Sequence, residues 1–541
     1  MLTSTTNLLA SIDPKKLREY FEIEDLKSPF EDNTNNDWEN WDDFEIEGLS
    51  LDIGTFPWDE CLISVNRNAG FLVISRQTQT VIAEFDKDLK ETNYILLNNE
   101  QKEDGIITMN KCLDVEIDPN FRIKSKKKKN CIHTFILGFS TGVFKIYDSK
   151  GEILLTQHLD SSPILKIKLR INSLYLSWSE QKEELIFLHG QNVLVSIDGF
   201  TLFTSINYNY SQIKTNNSTE VKGVSLSYRK WKLSGQKQIN DFISCGIKGN
   251  TEFSILNSLQ KNPRFFAVGK MPFLGSYLEN EESRIFSSGA EREFSITNTI
   301  KKSVFSFATG WFDKDNKEKN EQSQKQQKKK KKFEPPVDLD LNWKLNDPKR
   351  EVNRIYMAPN SRFAVITDNF GRVLLLDTIN FLIIRIWKGY REAQCAWIEI
   401  PIRKNLYFSQ GRSKGLEGFV KKEQRNKYQL KRLNKKPISK RKIILVIYAP
   451  NRNLVETWSL PHIKIKSSFK VKPNCLLFSN FGTLGSTLQQ EPSRAFLFET
   501  KSGNLSEIIV KLNPLNSKSQ QKLLNNKKKT KIETTNNEKE N

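Results

Sequence analysis

From about residue 58 onward the chain alternates short apolar runs with polar turns. The clearest unit is Phe135-Ile136-Leu137-Gly138-Phe139, the turn Ser140-Thr141-Gly142, then Val143–Asp148, the turn Ser149–Glu152, and Ile153–Thr156. Runs of this length, rich in β-branched and aromatic residues and bounded by Gly, Ser and Asp, predict β-strands joined by tight turns. The turn glycines fit hairpin positions that require positive φ. Strand, turn, strand, turn, strand is an antiparallel meander.

The unit recurs. Arg362–Ile366 passes through Thr367-Asp368-Asn369-Phe370-Gly371 into Arg372–Asp377 and then Phe381–Trp387. Ile443–Tyr448 leads to Leu454–Trp458 and Ile463–Phe469, and Ala495–Phe498 leads to Leu505–Leu512. Phe71–Ser75 with Thr80–Phe85 makes a further pair, and Leu185–Leu188, Val193–Ile197 and Leu202–Ile206 read as three more strands. Repeated meanders that bury their faces on one another are how a β-propeller builds blades. The expected fold is all-β, a degenerate WD-like propeller of about seven blades, lacking the Gly-His and Trp-Asp marks of regular repeats. One or two blades would lie within 207–280. Stacked β-sandwiches would use similar strands.

Other segments break the pattern. Residues 1–45 form an acidic N-terminal segment with a short helix over Lys15–Phe21, and 46–515 is expected to hold the propeller with insertions at 287–345 and 411–442. The first insertion opens with Ile296, Ile300, Val304, Phe307, Ala308 and Trp311, one face of a helix. That helix packs either on its own domain or on a partner or membrane surface. Asp313–Lys332 reads as a disordered linker, and 516–541 as a disordered basic tail.

Charge alters this picture little. The formal net charge is +21, which invites a nucleic-acid reading because Lys and Arg displace counterions from phosphates. The excess is concentrated in Lys126–Lys129, Lys328–Lys332 and the segment 421–442, however, and runs of that kind usually mark solvated loops or tails. No specific nucleic-acid partner is expected. The six cysteines are scattered and form no CxxC pair. The segment MLTSTTNLLASIDPKK has no apolar core of signal-peptide length, so a reducing, cytoplasmic setting is expected.

A search for chemistry finds no phosphate loop, nucleophile elbow or HExxH pair. The four histidines, His133, His158, His189 and His462, are far apart. Asp148, Asp198 and Asp377 end strands before turns, where Asp bonds to the backbone. No catalytic, metal-binding or cofactor-binding residue is assigned, and no cofactor is expected. Trp38 and Trp41 sit among carboxylates and either pack back on the fold or anchor a partner, since interface hot spots favour Trp. Arg372, Trp387, Lys388, Tyr390 and Arg391 form a second candidate partner-binding block, which reads equally as strand ends bridging neighbouring blades.

Several of these segments resemble, in order, the N-terminal domain of the non-catalytic subunit of the Rab GTPase-activating complex of the Rab-three type. They are Leu137–Tyr147 with Gly151–Gln157 and Pro163–Arg170, Ile197–Phe203, Tyr228–Trp231, Val268-Gly269 with Pro272-Phe273, and Ser306–Trp311. The most specific block is Thr367–Asp377 through Arg385–Gln394, and Ile447–Pro450 with Trp458-Ser459 closes the series. Asp37-Trp38-Glu39 and Trp41 fall where that family has an acidic, tryptophan-containing lead-in. The resemblance covers roughly 35–510, outside the two lysine-rich insertions.

It implies a regulatory role beside a separate catalytic subunit that supplies the arginine finger, with Rab GTPases as the substrate proteins. It also implies links to nucleotide exchange on a Rab at the endoplasmic reticulum, to vesicle traffic and autophagy, and to peripheral contact with endomembranes. Family members usually continue into a helical C-terminal half. This chain ends instead in a lysine-rich tail, which implies a shortened variant or an incomplete chain.

Overall fold

The computed structural model of this chain describes residues 2–23, 56–85 apart from 67 and 69, 92–98, 104–118, 131–171, 183–216, 225–247, 263–278, 334–402, 441–460, 466–480, 482–486 and 491–512. It begins with β1 (Leu2–Ser11) and α1 (Pro14–Tyr20). Asp13 caps this helix, accepting from the Lys15 N–H at 2.9 Å, and Pro14 brings the fixed φ suited to a first helical position.

Seven four-stranded antiparallel blades follow the chain, five of them separate sheets and two, blades 3 and 4, the halves of one eight-stranded sheet. Blade 1 is β2 (Leu62–Val65), β3 (Phe71–Arg76), β4 (Gln79–Phe85) and β5 (Thr92–Asn98). Blade 2 is β6 (Ile107–Glu116), β7 (Cys131–Phe139), β8 (Val143–Asp148) and β9 (Ile153–His158). Blade 3 takes β10 (Ile164–Arg170), β11 (Glu184–His189) and β12 (Val193–Asp198), then a helix, α2 (Gly199–Asn216), before its outer strand β13 (Tyr228–Leu233). Blade 4 is β14 (Gln238–Ile247), β15 (Pro263–Lys270), β16 (Leu274–Leu278) and β17 (Val337–Leu345). Blade 5 is β18 (Val352–Met357), β19 (Phe363–Asp368), β20 (Arg372–Asp377) and β21 (Leu382–Lys388), and blade 6 is β22 (Gln394–Pro401), β23 (Arg441–Ala449), β24 (Leu454–Ser459) and β25 (Lys466–Lys470). Blade 7 combines β26 (Cys475–Asn480), β27 (Arg494–Glu499) and β28 (Asn504–Leu512) with β1, so the two ends of the folded region close the ring. The outer strands of blades 3 and 4 join over three parallel pairs, Trp231↔Val337 to Leu233↔Leu339.

The core confirms the closure. Buried apolar residues form seven separate clusters among the described residues, and each cluster joins one pair of adjacent blades. On β7, Ile132 and Ile136 pack toward blade 3, whereas Phe135, Leu137 and Phe139 pack toward blade 1. Because both faces of an inner strand are covered, its sequence is a continuous apolar run rather than an alternation. Each such side chain contributes on the order of 1.5–3 kcal/mol of burial. The first strands of neighbouring blades touch around the centre, as β2 with β6 and β10 with β14, and surround an axial channel.

The propeller of about seven blades is therefore correct, with four differences in detail. First, Leu2–Ser11 is a strand of blade 7, in register with β28 from Leu2↔Leu512 to Ser11↔Asn504, and not part of a separate lead-in. Second, Leu202–Ile206 is helical. Asp198 Oδ2 accepts from the Thr201 N–H and hydroxyl at 3.1 Å, and Leu202, Ile206 and Ile213 form a helix-spaced face in the core between blades 2 and 3. Third, a single blade is hidden in 207–280, and it is completed by β17, which lies within the last residues assigned above to the first insertion and buries Leu339. Fourth, Arg441 and Lys442, assigned above to the second insertion, open β23. The predicted helix over Ile296–Trp311, the linker to Lys332, the three lysine-rich stretches apart from Arg441 and Lys442, and the C-terminal tail lie outside the described residues.

A candidate partner-binding edge on blade 5

The turn acids behave as their positions predict. Asp148 Oδ1 accepts from the N–H of Lys150 and of Glu152 at 2.9 Å, Asp377 Oδ1 from Ile379 at 2.9 Å and Asn380 at 3.1 Å, and Asp368 Oδ1 from Arg372 at 2.8 Å. His133 meets Asp114 at 2.7 Å, His158 the Thr141 carbonyl at 2.8 Å and His189 the Ser162 carbonyl at 3.0 Å, so these three histidines share no partner. Burial holds the His189 imidazole below its ordinary pKa. Among the described residues no group of three His, Cys, Asp or Glu side chains is placed to hold a metal ion. No described helix is long and apolar enough to cross a membrane.

Trp38 and Trp41 lie outside the described residues. The other five candidates come together at the junction of blades 5 and 6. Trp387 and Tyr390 are buried there, in the cluster that contains Trp397, Leu445 and Trp458. The Trp387 and Trp458 rings meet edge to face at 5.5 Å, and the Arg385 guanidinium lies 5.3 Å and 4.9 Å from the two centroids. The Tyr390 hydroxyl donates to Glu456 Oε2 at 2.6 Å, and Trp458 Nε1 donates to the same oxygen at 3.2 Å. Burial and the Glu456 carboxylate push the Tyr390 phenol up to about 12, and Arg452 stacks 4.1 Å from its ring.

The chain between Trp387 and Tyr390 turns tightly against Gly371, whose φ is +69° and whose carbonyl accepts from the Tyr390 N–H at 2.7 Å. A Cβ there would sit 2.8 Å from Arg391 Cγ and 3.0 Å from the Arg391 nitrogen. Arg372 is half-buried, with its guanidinium 5.4 Å from the Phe370 ring, while Lys388 and Arg391 are exposed. Two of the five residues thus form the interblade core, and three remain at the surface.

Beside them lies a feature that the strand pattern hides. Of the eleven large apolar residues exposed among the described residues, Phe370, Ile379, Leu382, Ile384 and Ile386 all belong to blade 5, each 44–60% exposed. Leu382, Ile384 and Ile386 lie on β21, the outermost strand of its sheet. Its register with β20 shifts between Leu375↔Arg385 and Leu376↔Ile383, leaving Ile384 as a bulge. An edge strand exposing aliphatic side chains is a ready surface for another chain.

These observations define a class: a seven-bladed propeller with an outward-facing aliphatic edge on blade 5. The particular family follows from comparison with known proteins. Residues 58–478 match the Rab3 GTPase-activating protein regulatory subunit N-terminus, and the chain belongs to that family, whose members are regulatory and non-catalytic. Among solved structures the chain is also similar to the crystal structure of the Saccharomyces cerevisiae Sqt1, at 10% identity over 83% of this chain and 84% of that one. The TM-score of that match is 0.36, and a superposition so loose carries no weight for fold or function.

Proposed function

We propose that this chain is the regulatory subunit of a Rab GTPase-activating complex: it binds a catalytic subunit that carries the arginine finger, and it helps present a Rab GTPase to it. The docking surface is the outer edge of blade 5, with Leu382, Ile384 and Ile386 as the apolar contact and Lys388 and Arg391 at its rim. The family match supports the role, and the concentration of exposed aliphatics on β21 supports the surface. In this reading the complex works from the cytoplasm in vesicle traffic and autophagy, in peripheral contact with the endoplasmic reticulum or other endomembranes. Promotion of Rab nucleotide exchange belongs to the same reading.

The test is reconstitution. Purified chain alone is expected to leave Rab GTP hydrolysis at its intrinsic rate, and to bind the catalytic subunit in a pull-down from its own cells. Ile384→Asp with Ile386→Asp should weaken that binding at least tenfold, because a charge at an apolar contact costs a few kcal/mol. Stimulation by the chain alone would refute the regulatory role. Full binding by the double variant would refute the surface. Recovery of other trafficking proteins without the catalytic subunit would make the chain a general propeller scaffold.

A further inference from the structure

The axial channel is a second site, independent of the blade 5 edge. It encloses a cavity of about 560 Å³ lined by the first strands of the blades. Ligand sites for small molecules fall in this size range.

Its wall carries six cations and five carboxylates, and two of the carboxylates already have partners: Glu399 pairs with Arg441 at 3.2 Å and Asp114 meets His133 at 2.7 Å. Strand β10 reads Lys166-Ile167-Lys168-Leu169-Arg170, and Ile167 and Leu169 belong to the core between blades 2 and 3. By strand alternation the three basic residues share the opposite face, toward β14 of blade 4, where Lys168 meets Asp241 and Arg170 lies against Gly246, and all three also line the cavity. Lys111 of β6 and Arg354 of β18 line the same cavity. Lys168 has a carboxylate partner: its Nζ lies 3.0 Å from Asp241 and 3.3 Å from the Ile355 carbonyl. That carboxylate is already shared, since Asp241 also accepts from the Ile355 N–H at 3.0 Å and the Phe242 N–H at 2.9 Å. Among the described residues no carboxylate pairs with Lys111, Lys166 or Arg354.

The cations also feel one another. Lys111 is held below its ordinary pKa by burial and then by Lys168; Lys166 is held below it by burial and by Arg354 and Lys168, against the pull of Asp241. Like charges set together in a desolvated cavity raise its free energy unless an anion joins them. An entrance exists. A more open cavity of about 750 Å³ at the rim of blades 3, 4 and 5 shares Lys166 and Arg354 with the channel and adds Lys237. The one carboxylate lining it, Glu351, accepts from Asn240 Nδ2 at 3.0 Å.

We propose that the axial channel binds a compact polyphosphate anion, held by Lys111, Lys166, Lys168 and Arg354. The donors come from blades 2, 3 and 5 and so converge from several sides. That arrangement suits a small molecule bearing phosphates around its periphery and is ill matched to a flat dicarboxylate with two charges. Lys and Arg are the residues that recognise phosphate oxygens by charge-assisted hydrogen bonds. An inositol polyphosphate has this chemistry, either free or as a phosphoinositide headgroup at a membrane.

The experiment is titration calorimetry of the full chain with inositol hexakisphosphate at physiological salt, with thermal melting of each variant as a control for folding. One ligand per chain is expected, with a Kd in the micromolar range or tighter. Lys166→Ala with Arg354→Ala should weaken binding at least tenfold, and Lys111→Met, which keeps most of the side-chain volume, serves as the second variant. Replacing Lys328–Lys332 by alanines should change affinity less than twofold, as should Ile384→Asp with Ile386→Asp. Sedimentation with phosphatidylcholine vesicles, with and without phosphatidylinositol 4,5-bisphosphate, then separates the sources. Vesicle binding that is lost in the channel variants assigns the anion to a lipid headgroup; binding of the soluble ligand alone assigns it to a free polyphosphate. Binding unaffected by the channel variants, binding abolished by loss of the lysine run, or no saturable binding to either probe would overturn the site.

Discussion

At the residue scale, the sharpest feature of the blade 5–6 junction is one buried carboxylate with two aromatic donors. Tyr390→Phe removes the hydroxyl that donates to Glu456 at 2.6 Å and leaves the carboxylate to Trp458 Nε1 alone within that pair of donors. The expected cost is about 1–3 kcal/mol, the penalty for stripping a donor from a buried charged acceptor, with Rab-complex binding unchanged in a chain still folded at assay temperature. Chemical denaturation of the two proteins measures it. Lys111 predicts the opposite sign. Its ammonium is held below 10.5 in the folded chain, so the unfolded chain binds more protons between the folded and unfolded values, and stability rises with pH through that window. Lys111→Met should therefore melt higher at neutral pH, by on the order of 2 °C, with the gain shrinking as pH approaches 10.5. A melting midpoint that falls instead would mean that the ammonium is well solvated where it lies.

At the element scale, a strand was legible wherever a run is apolar and flanked by turn residues, because inner strands of a propeller are covered on both faces. Phe135–Phe139 and Arg372–Asp377 are such runs, and both are strands. Two features were not legible. Edge strands bury little, so β1, with its Thr and Ser, gave no strand signal, and β21, read as a strand over Phe381–Trp387, gave no sign that its aliphatics face outward. Leu202–Ile206 is short and apolar enough to pass for a strand, and only the cap at Asp198 with the spacing to Ile213 marks it as helix. At the candidate site the division of Trp387 and Tyr390 to the core and Lys388 and Arg391 to the surface follows residue type, whereas the exposure of Leu382, Ile384 and Ile386 runs against it and was not legible. If the Asp198 cap decides the state of this segment, Asp198→Ala should cost about 1 kcal/mol and Asp198→Asn much less, read as denaturation midpoints. Gly199→Ala should be worse than loss of the cap, since a Cβ there would lie 2.6 Å from the Glu183 backbone oxygen.

At the scale of the whole molecule, stability lies in the interfaces between blades, and a ring of seven blades has seven of them only when it is closed. Closure depends on residues at both ends of the chain. The β1–β28 ladder supplies the outer half of blade 7, and Phe496, Phe498 and Leu505 of that blade pack against Leu72, Ile74 and Val81 of blade 1. The family match spans 58–478 and so contains neither β1 nor β27 and β28. A fragment cut at those limits loses the clusters on both sides of blade 7 and leaves one apolar face each of blades 1 and 6 in water. Exposed sheet faces and unpaired edges of that size drive aggregation. Residues 58–478 expressed alone should therefore be insoluble or melt without a cooperative transition, whereas residues 2–512 should melt in one cooperative step. Supplying 2–11 as a separate peptide should not rescue the shorter fragment, because β28, the strand it pairs with, is also missing. A soluble, cooperatively folding 58–478 would show that six blades suffice and that the terminal strands only decorate the ring.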